Sequence, residues 1–352
     1  MKNSSKKAAV VAAPQLVIGM DVSNKKSMLA LLEGDEMRFT TISNSRDALR
    51  LQFSGLPASR VAIEAGTHSP WLCRELKAMG HEVLVANPRK LAMITQNHQK
   101  SDQRDAELLA RLAKADPRLL CPIQHRSEQA QKTRALIKVR DQLVQARTGL
   151  INCARGIVKP FGFVLPGCDS SGFVARVSKE MDVSMASMLT PILKALEPLN
   201  AQIAELDRVV KSRAESNRDA RCLMQVYGVG AITALSFVAT IDDPERFRKS
   251  RDVAAYLGLT PSRNQSGEQD PQMHISKHGD ETLRRLLVTC AHCILRKGAP
   301  DSALKRFGLR LASRGGKAAK KKAVVAVARK LAVLLHRLWV TGEVYEPLRG
   351  CK

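Results

Sequence analysis

The first third of the chain alternates between short apolar runs and longer periodic segments. Leu16-Val-Ile-Gly-Met-Asp-Val22 is an apolar run broken only by a carboxylate near its end, and it predicts a buried strand. Lys26–Glu33 and Met37–Ile42 predict two more strands, with Gly34-Asp35 as the hairpin turn between them. A helical pattern over Ser43–Phe53 follows, then a short strand at Arg60–Glu64, a helix over Ser69–Met79 and a strand over His81–Ala86. Asn87-Pro88 opens the next helix, because proline's fixed φ suits a first turn. Three strands followed by alternating helices and strands predict a mixed α/β sheet.

From Ser101 onward the pattern is mostly helical. Residues 127–159 predict a long polar helix with apolar positions at Leu136, Leu143 and Leu150. Gly162, Pro166, Gly167 and Gly172 mark the stretch after it as a linker or loop. Met185, Leu189, Ile192, Leu196, Leu199, Ile203, Leu206 and Val210 then alternate spacings of four and three. That heptad seam predicts a central coiled-coil arm that joins two copies, with packing on its own chain as the alternative. Pro198 inside it should kink the helix or end one segment. The expected organisation is a basic tail (1–15), an α/β domain (16–160), a linker and arm (161–218) and a second, mostly helical domain (219–352). The fold class is thus α/β followed by all-α.

A length of 352 residues suits two or three domains, and 44% apolar residues suffice for sizeable cores. Charge changes the picture more. Lys and Arg total 57 against 33 Asp and Glu, a formal net charge of +24. Such a balance suits a polyanion and argues against a small-molecule enzyme with a neutral surface. Between Arg284 and Arg337 there are fifteen Lys or Arg and a single acid, Asp301, with Lys317-Ala-Ala-Lys-Lys-Lys322 the densest part. A charge run is often only a solvated face, but this excess spans several helices and predicts nucleic-acid contact. With 4% aromatics, phosphate contacts rather than base stacking should carry the affinity. No run of about 18 apolar residues exists, so no membrane span is expected. Lys6-Lys7 ahead of Ala8–Met20 imitates a signal peptide, but Pro14 and Gln15 interrupt the run and no small-residue cleavage site follows. The 8 cysteines are scattered without a framework and read as reduced thiols of a cytoplasmic protein. Cys290-Ala-His-Cys293, the only close pair, reads as a buried helix face rather than a metal site.

Three constellations carry candidate chemistry. The first is acidic. Asp21 and Glu64 each close an apolar strand, where a carboxylate needs a metal, a partner or a position at the mouth of a sheet. Asp102 and Asp105 open a helix three residues apart and so share a face, although capping and dipole compensation alone explain Asp102 well. Four such acids form a cage for Mg²⁺, with Mn²⁺ as the alternative, of the kind used in phosphoryl transfer. The second is Gly258-Leu-Thr-Pro-Ser-Arg-Asn-Gln-Ser-Gly267, a loop carrying Ser262 and Ser266, with Lys277, His278, Arg284 and Arg285 as nearby cations. Read from spacing alone, it is a polar turn with ordinary serines. The third is Val226-Tyr-Gly-Val-Gly-Ala-Ile-Thr-Ala-Leu235, where Gly228 and Gly230 resemble the turn of a helix-hairpin-helix that offers backbone N–H groups to a phosphate; the alternative is a plain interhelical turn.

Taken in order, these motifs resemble the DEDD-type transposases of bacterial insertion sequences, the "one-ten" family, which includes a pilin-gene invertase. The likeness runs from about residue 16 to about residue 340 and rests on Gly-Met-Asp21-Val-Ser, Ile-Glu64-Ala-Gly-Thr, Lys-Ser-Asp102-Gln-Arg-Asp105-Ala, Gly228-Val-Gly230, Gln-Ser266-Gly and Ile-Ser-Lys-His-Gly279 with Leu-Arg284-Arg-Leu-Leu. The resemblance implies an N-terminal RuvC-like (RNase H-like) domain whose Asp21, Glu64, Asp102 and Asp105 bind Mg²⁺. It implies a C-terminal domain in which Ser266 is the nucleophile on DNA. It further implies homodimers or homotetramers with composite sites, a structured bridge RNA that pairs with element ends and target, and a place in the bacterial cytoplasm beside the nucleoid. Gly228, Gly230, Lys277, Arg284, Arg285, Lys320, Lys321 and Lys322 are the expected nucleic-acid contacts, with Arg284 and Lys277 stabilising developing charge. The rival readings are a DNA invertase of the same chemistry, a structure-selective RuvC-like nuclease that needs only the acids, and a non-catalytic DNA-binding protein.

Overall fold

Strand β1 (Leu16–Val22) lies at the centre of a five-stranded sheet ordered β3-β2-β1-β4-β5. The computed structural model describes residues 15–91, 101–180, 183–262, 265 and 273–349; they form two compact units that meet in sequence between His125 and Arg126. β2 (Lys26–Glu33) and β3 (Glu36–Ser43) form the predicted hairpin, antiparallel to each other and to β1. Gly34 at its turn has φ +56°, a left-handed conformation that glycine adopts without strain. Helix α1 (Arg46–Phe53) leads to β4 (Arg60–Glu64), which pairs in parallel with β1. Helix α2 (Ser69–Ala78) leads to β5 (Glu82–Ala86), parallel to β4, and α3 (Pro88–Leu91) follows. Helix α4 (Asp102–Ala115) completes the unit, opened by Ser101, whose hydroxyl accepts from the Arg104 amide.

The alternation along β1 separates the two faces of the sheet. Leu16, Ile18 and Met20 share a core with Leu49 and Phe53 of α1 and Leu72 and Leu76 of α2. Val17, on the opposite face, packs with Ala62, Ala86 and Leu109 and Ala113 of α4. Gly19 lies on that second face, and α4 sits directly on it. A Cβ there would stand 2.6 Å from the Ala110 amide nitrogen and closer still to the Ala106 carbonyl oxygen. The small residues Ala106 and Ala110, both fully buried, complete this backbone-to-backbone approach.

The second unit is helical. Helix α5 (Glu128–Val158) is the long helix the pattern predicts, but its buried stripe is Ala130, Thr133, Ile137, Asp141, Ile151, Ala154 and Val158; Leu136 and Leu150 flank it as partly buried contacts. Helix α6 (Phe173–Glu180) lies in the expected linker, and its Phe173 and Val177 are fully buried with Leu165. Helix α7 (Val183–Ser216) runs on through Pro191 and Pro198, so Pro198 does not end a segment. Both prolines stand on the exposed side, where water can meet the carbonyl groups they leave unbonded.

The heptad seam of α7 faces its own chain. Met185, Leu189, Leu193 and Leu196 share a core with Ile151, Ala154 and Val158 of α5, while Val210 packs near Ile137. Arg140 pairs with Asp207 at 2.8 Å and Arg147 donates to Asn200 at 3.2 Å, so the two helices run antiparallel. This differs from the expectation of an arm between copies, because the complementary stripe is supplied by α5.

Helices α8 (Arg218–Leu223), α9 (Ala231–Ile241), α10 (Ser250–Tyr256), α11 (Glu281–Leu295), α12 (Ala303–Ala312) and α13 (Gly316–Thr341) build the larger core of this unit. Cys290 is buried in it and donates to Thr233 Oγ1, whereas Cys293 is exposed, so only one of the pair lies on a buried face. Burial pushes the Cys290 thiol above its ordinary pKa. Among the described residues no helix is long and apolar enough to cross a membrane.

Gly19→Ala tests the packing that anchors α4. It is expected to lower unfolding free energy by about 2–3 kcal/mol in urea titrations, because backbone on both sides must move. Gly34→Asn, at an open turn position with positive φ, should change it by less than about 1 kcal/mol. Equal effects of the two would contradict the assigned packing.

Candidate functional site

The parallel pairing of β1 with β4 puts Met20 beside Ile63, so Asp21 and Glu64 are the next residues at the C-terminal ends of adjacent strands. Strand alternation sets Asp21 on the face of Val17 and Gly19, and Glu64 on the face of Ala62, which is the face that α4 covers. The two acids line one cleft of about 400 Å³ with Ser23, Asn24, Gly66, Thr67 and His68. Asp21 is half-buried and Glu64 exposed, so the mouth of the sheet resolves the cost of placing carboxylates after apolar runs.

Helix α4 runs antiparallel to β1. Its C-terminal end lies at the start of the strands, where Arg60 donates to the Ala113 carbonyl at 3.2 Å and Lys114 reaches the β2–β3 turn. Its first turn therefore lies toward the edge that carries Asp21 and Glu64. Asp102 is exposed and Asp105 half-buried on that turn, where both also complement the helix dipole. Among the described residues no three His, Cys, Asp or Glu side chains stand close enough to hold one metal ion. The structure thus joins Asp21 and Glu64 in one cleft and leaves Asp102 and Asp105 as a separate pair on α4, rather than the closed cage of four.

The loop after Glu64 is pinned at several points. The Ala65 amide donates to Ala86 O at 3.0 Å. Ser69 Oγ, in a residue only 1% exposed, accepts from the Gly66 amide at 3.0 Å and meets His125 Nε2 at 3.0 Å. His68 Nδ1 accepts from the Trp71 indole N–H at 3.2 Å. Sequence reasoning did not single out His68, Ser69 or His125. The available signal was the spacing of His68 and Trp71, three apart at a helix start directly after the Glu64 loop.

In the second unit, Ser266 and Gly267 lie outside the described residues. The segments that flank them are described, and they form a closed base. Ser262 N donates to His274 O at 2.9 Å, Ser276 N to Thr260 O at 2.9 Å and Lys277 N to Gly258 O at 3.2 Å. Two glycines with positive φ make this fit. A Cβ on Gly258 would stand 2.6 Å from His278 N, and one on Gly279 would run into the Tyr256 carbonyl oxygen. Arg284 Nη1 donates to Leu257 O at 3.1 Å and His278 O at 3.3 Å, binding the two segments together. Through Nη1 its guanidinium holds the loop base. Arg285 pairs with Asp141 of α5 and remains half exposed. Lys277 is exposed with φ +55°.

Gly228 has φ +87°, and a Cβ there would meet the Cys290 carbonyl oxygen at 3.2 Å, so this glycine lets the turn pack on α11. Gly230 caps α9 with no side-chain hydrogen bond and open space around it, which leaves the first-turn amides of α9 without a side-chain cap. Lys320, Lys321 and Lys322 are exposed in the second turn of α13, three like charges on successive residues.

Comparison with known proteins places these features in a family. Residues 18–161 match a DEDD transposase family of IS110 type, and residues 220–308 match the family described as "Transposase IS116/IS110/IS902 family". The transposase for insertion sequence element IS1111A of Coxiella burnetii is 30% identical over 347 residues, covering 94% of this chain and 91% of that protein. A probable family 20 transposase of Pseudomonas aeruginosa is 29% identical over 286 residues, covering 79% of this chain and 84% of that one. The pilin gene-inverting protein of Moraxella bovis is 27% identical over 284 residues, covering 78% of each. The chain belongs to the IS110/IS116/IS902 family of transposases, and it is a DNA-recombining enzyme of that kind.

Proposed function

We propose that the protein excises and inserts an insertion sequence by Mg²⁺-dependent strand cleavage and exchange through a phosphoserine intermediate on Ser266. The observation that carries this reading is the convergence of Asp21 and Glu64 in one cleft at the sheet end, with the first turn of α4 at the same edge. Hard carboxylate oxygens suit Mg²⁺, and Mn²⁺ takes the same donors. Asp21 and Glu64 would hold the ion, and Asp102 and Asp105 would complete the donor set. When bound, the ion offsets charge on the scissile phosphate and lowers the cost of forming an alkoxide.

The Ser266 hydroxyl loses its proton and attacks phosphorus. The bond from phosphorus to the 3′ oxygen breaks, leaving a phosphoserine and a free 3′-hydroxyl. In strand exchange an incoming 3′-hydroxyl attacks the same phosphorus, and the Ser266 oxygen leaves and regains a proton. The ester keeps the bond energy, which agrees with the lack of a P-loop motif in the sequence. The Arg284 clasp ties together the described segments that flank Ser266 in sequence. The Gly228–Gly230 turn, Lys277, Arg285 and Lys320–Lys322 supply contacts to nucleic-acid backbone. A homodimer or homotetramer would let the acids of one copy meet the serine of another, and a bridge RNA would select the DNA. The pilin gene-inverting relative keeps a second reading open, inversion of a fixed segment by the same chemistry.

The primary test places the gene and its native flanking DNA on a plasmid and sequences excised circle junctions. Asp21→Asn, Glu64→Gln and Ser266→Ala are each expected to reduce junctions by roughly two orders of magnitude or more. Junctions persisting in Ser266→Ala would overturn the serine mechanism and favour a metal-only nuclease. A second prediction concerns the loop base. Gly279→Ala should speed hydrogen exchange of the Ser276 and Lys277 amides at least about tenfold, corresponding to a loss of about 1.4 kcal/mol in local opening. Unchanged protection would contradict the clasp. A third concerns charge: replacing Lys320, Lys321 and Lys322 by Gln should reduce the slope of log affinity against log salt by about 2–3 for a DNA duplex. An unchanged slope would remove these lysines from the interface.

A further inference from the structure

His68 lines the cleft of Asp21 and Glu64, yet neither the fold nor the proposed strand cleavage uses its imidazole fully. It stands at the N-cap position of α2 but makes no side-chain capping bond. Its one polar partner among the described residues is the indole of Trp71, at 3.2 Å from Nδ1, with the two rings edge to face at 86°. An indole nitrogen can only donate. Nδ1 therefore presents its lone pair, and the neutral ring carries its proton on Nε2. Among the described residues nothing accepts from that Nε2–H.

This arrangement closes two roles and leaves one. Nε2 already holds a proton, so it is not a general base. Nδ1 is taken by the indole and Nε2 by its own hydrogen, so neither is a metal ligand. What remains is an uncharged hydrogen-bond donor in a cleft lined by two carboxylates, beside the smaller donors of Ser23, Asn24 and Thr67. Neutrality matters here, because a cation at this position would pair with Asp21 or Glu64 and compete with the ion they would hold. The complementary acceptor is an anionic oxygen supplied by the substrate.

We propose that His68 Nε2–H donates to a non-bridging oxygen of a DNA backbone phosphate bound beside Asp21 and Glu64, and that Trp71 is the positioning residue that fixes the required tautomer. The proposal rests on the reading of this cleft as the site of strand cleavage. Hydrogen bonds to charged groups are worth enough to alter a rate about 10- to 100-fold.

The test uses the full-length protein, the RNA transcribed from the sequence flanking its gene, and a duplex carrying the native element end. Single-turnover cleavage in Mg²⁺ is measured for wild type, His68→Phe, His68→Gln, Trp71→Phe and Asp21→Asn. Nitrogen-15 imidazole spectra of metal-free wild type and Trp71→Phe report the tautomer directly. His68→Phe is expected to slow cleavage about 10- to 100-fold, while His68→Gln, which keeps an N–H donor, recovers most of the rate. Wild type should show a proton on Nε2 alone, and Trp71→Phe a mixture of tautomers with a smaller loss of rate. A wild-type rate in His68→Phe, or a proton on Nδ1 in the wild-type spectrum, would overturn the proposal. Should His68→Phe fail to fold, His68→Gln cleaving as slowly as Asp21→Asn would do the same. Asp21→Asn cleaving at the wild-type rate would instead sink the reading of the cleft itself, whereas an inactive Asp21→Asn beside an active His68→Phe would sink only the role of His68.

Discussion

The backbone of β1 and the backbone of α4 meet at Gly19 with no side chain between them, and the geometry of the acidic edge follows from that contact. Because Ala106 and Ala110 fill the same line, the helix has little freedom to slide along the strand. Its direction then follows from the ends, with Ala113 beside Arg60 at the start of β4 and Asp102 and Asp105 toward the end of β1. The parallel register of β1 and β4 does the rest by bringing Asp21 and Glu64 to neighbouring positions. The acidic edge built this way rests on a sheet and a helix rather than on loops alone.

A similar device recurs in the second unit. At the base of the Ser266 loop, Gly258 and Gly279 let two backbone segments approach where any Cβ would collide, and Arg284 ties their carbonyl groups. Gly228 does the same where its turn meets α11. In each place the absent side chain, rather than a chemical group, is what the motif supplies. The glycines of these motifs therefore set the close backbone approaches on which the acidic edge, the loop base and the turn before α9 are built.

Charge is distributed by a different logic. Several cations of the C-terminal stretch are engaged within the unit: Arg285 with Asp141, Arg306 with Asp301, and Lys330 over the Phe307 ring at 3.9 Å. Among the described residues Lys320, Lys321 and Lys322 have no such ion pair or ring contact, and they are consecutive and exposed. Like charges on successive residues repel one another, and contact with a polyanion would relieve that repulsion. The excess of +24 is thus partly structural, and the portion free to meet phosphate is smaller than the net charge suggests.

The sequence by itself determined the elements, the acids at two strand ends and the helix start, the basic C-terminal stretch and the order of motifs that marks the family. These are local properties, set by side-chain period and by which residues a turn or cap tolerates. Only the tertiary structure decided partners. The seam of α7 was legible as a narrow apolar stripe, but its stripe fits another helix equally well within or between chains. A complementary stripe on α5, a short loop and helix away, closes the pair intramolecularly at low entropic cost. Arg284 was legible as a cation near a serine loop, yet its Nη1 donates to Leu257 and His278, whose carbonyl groups no local pattern could bring to it. The place of His68 beside Asp21 and Glu64 was not legible, because the cleft it lines is formed from strands far apart in sequence.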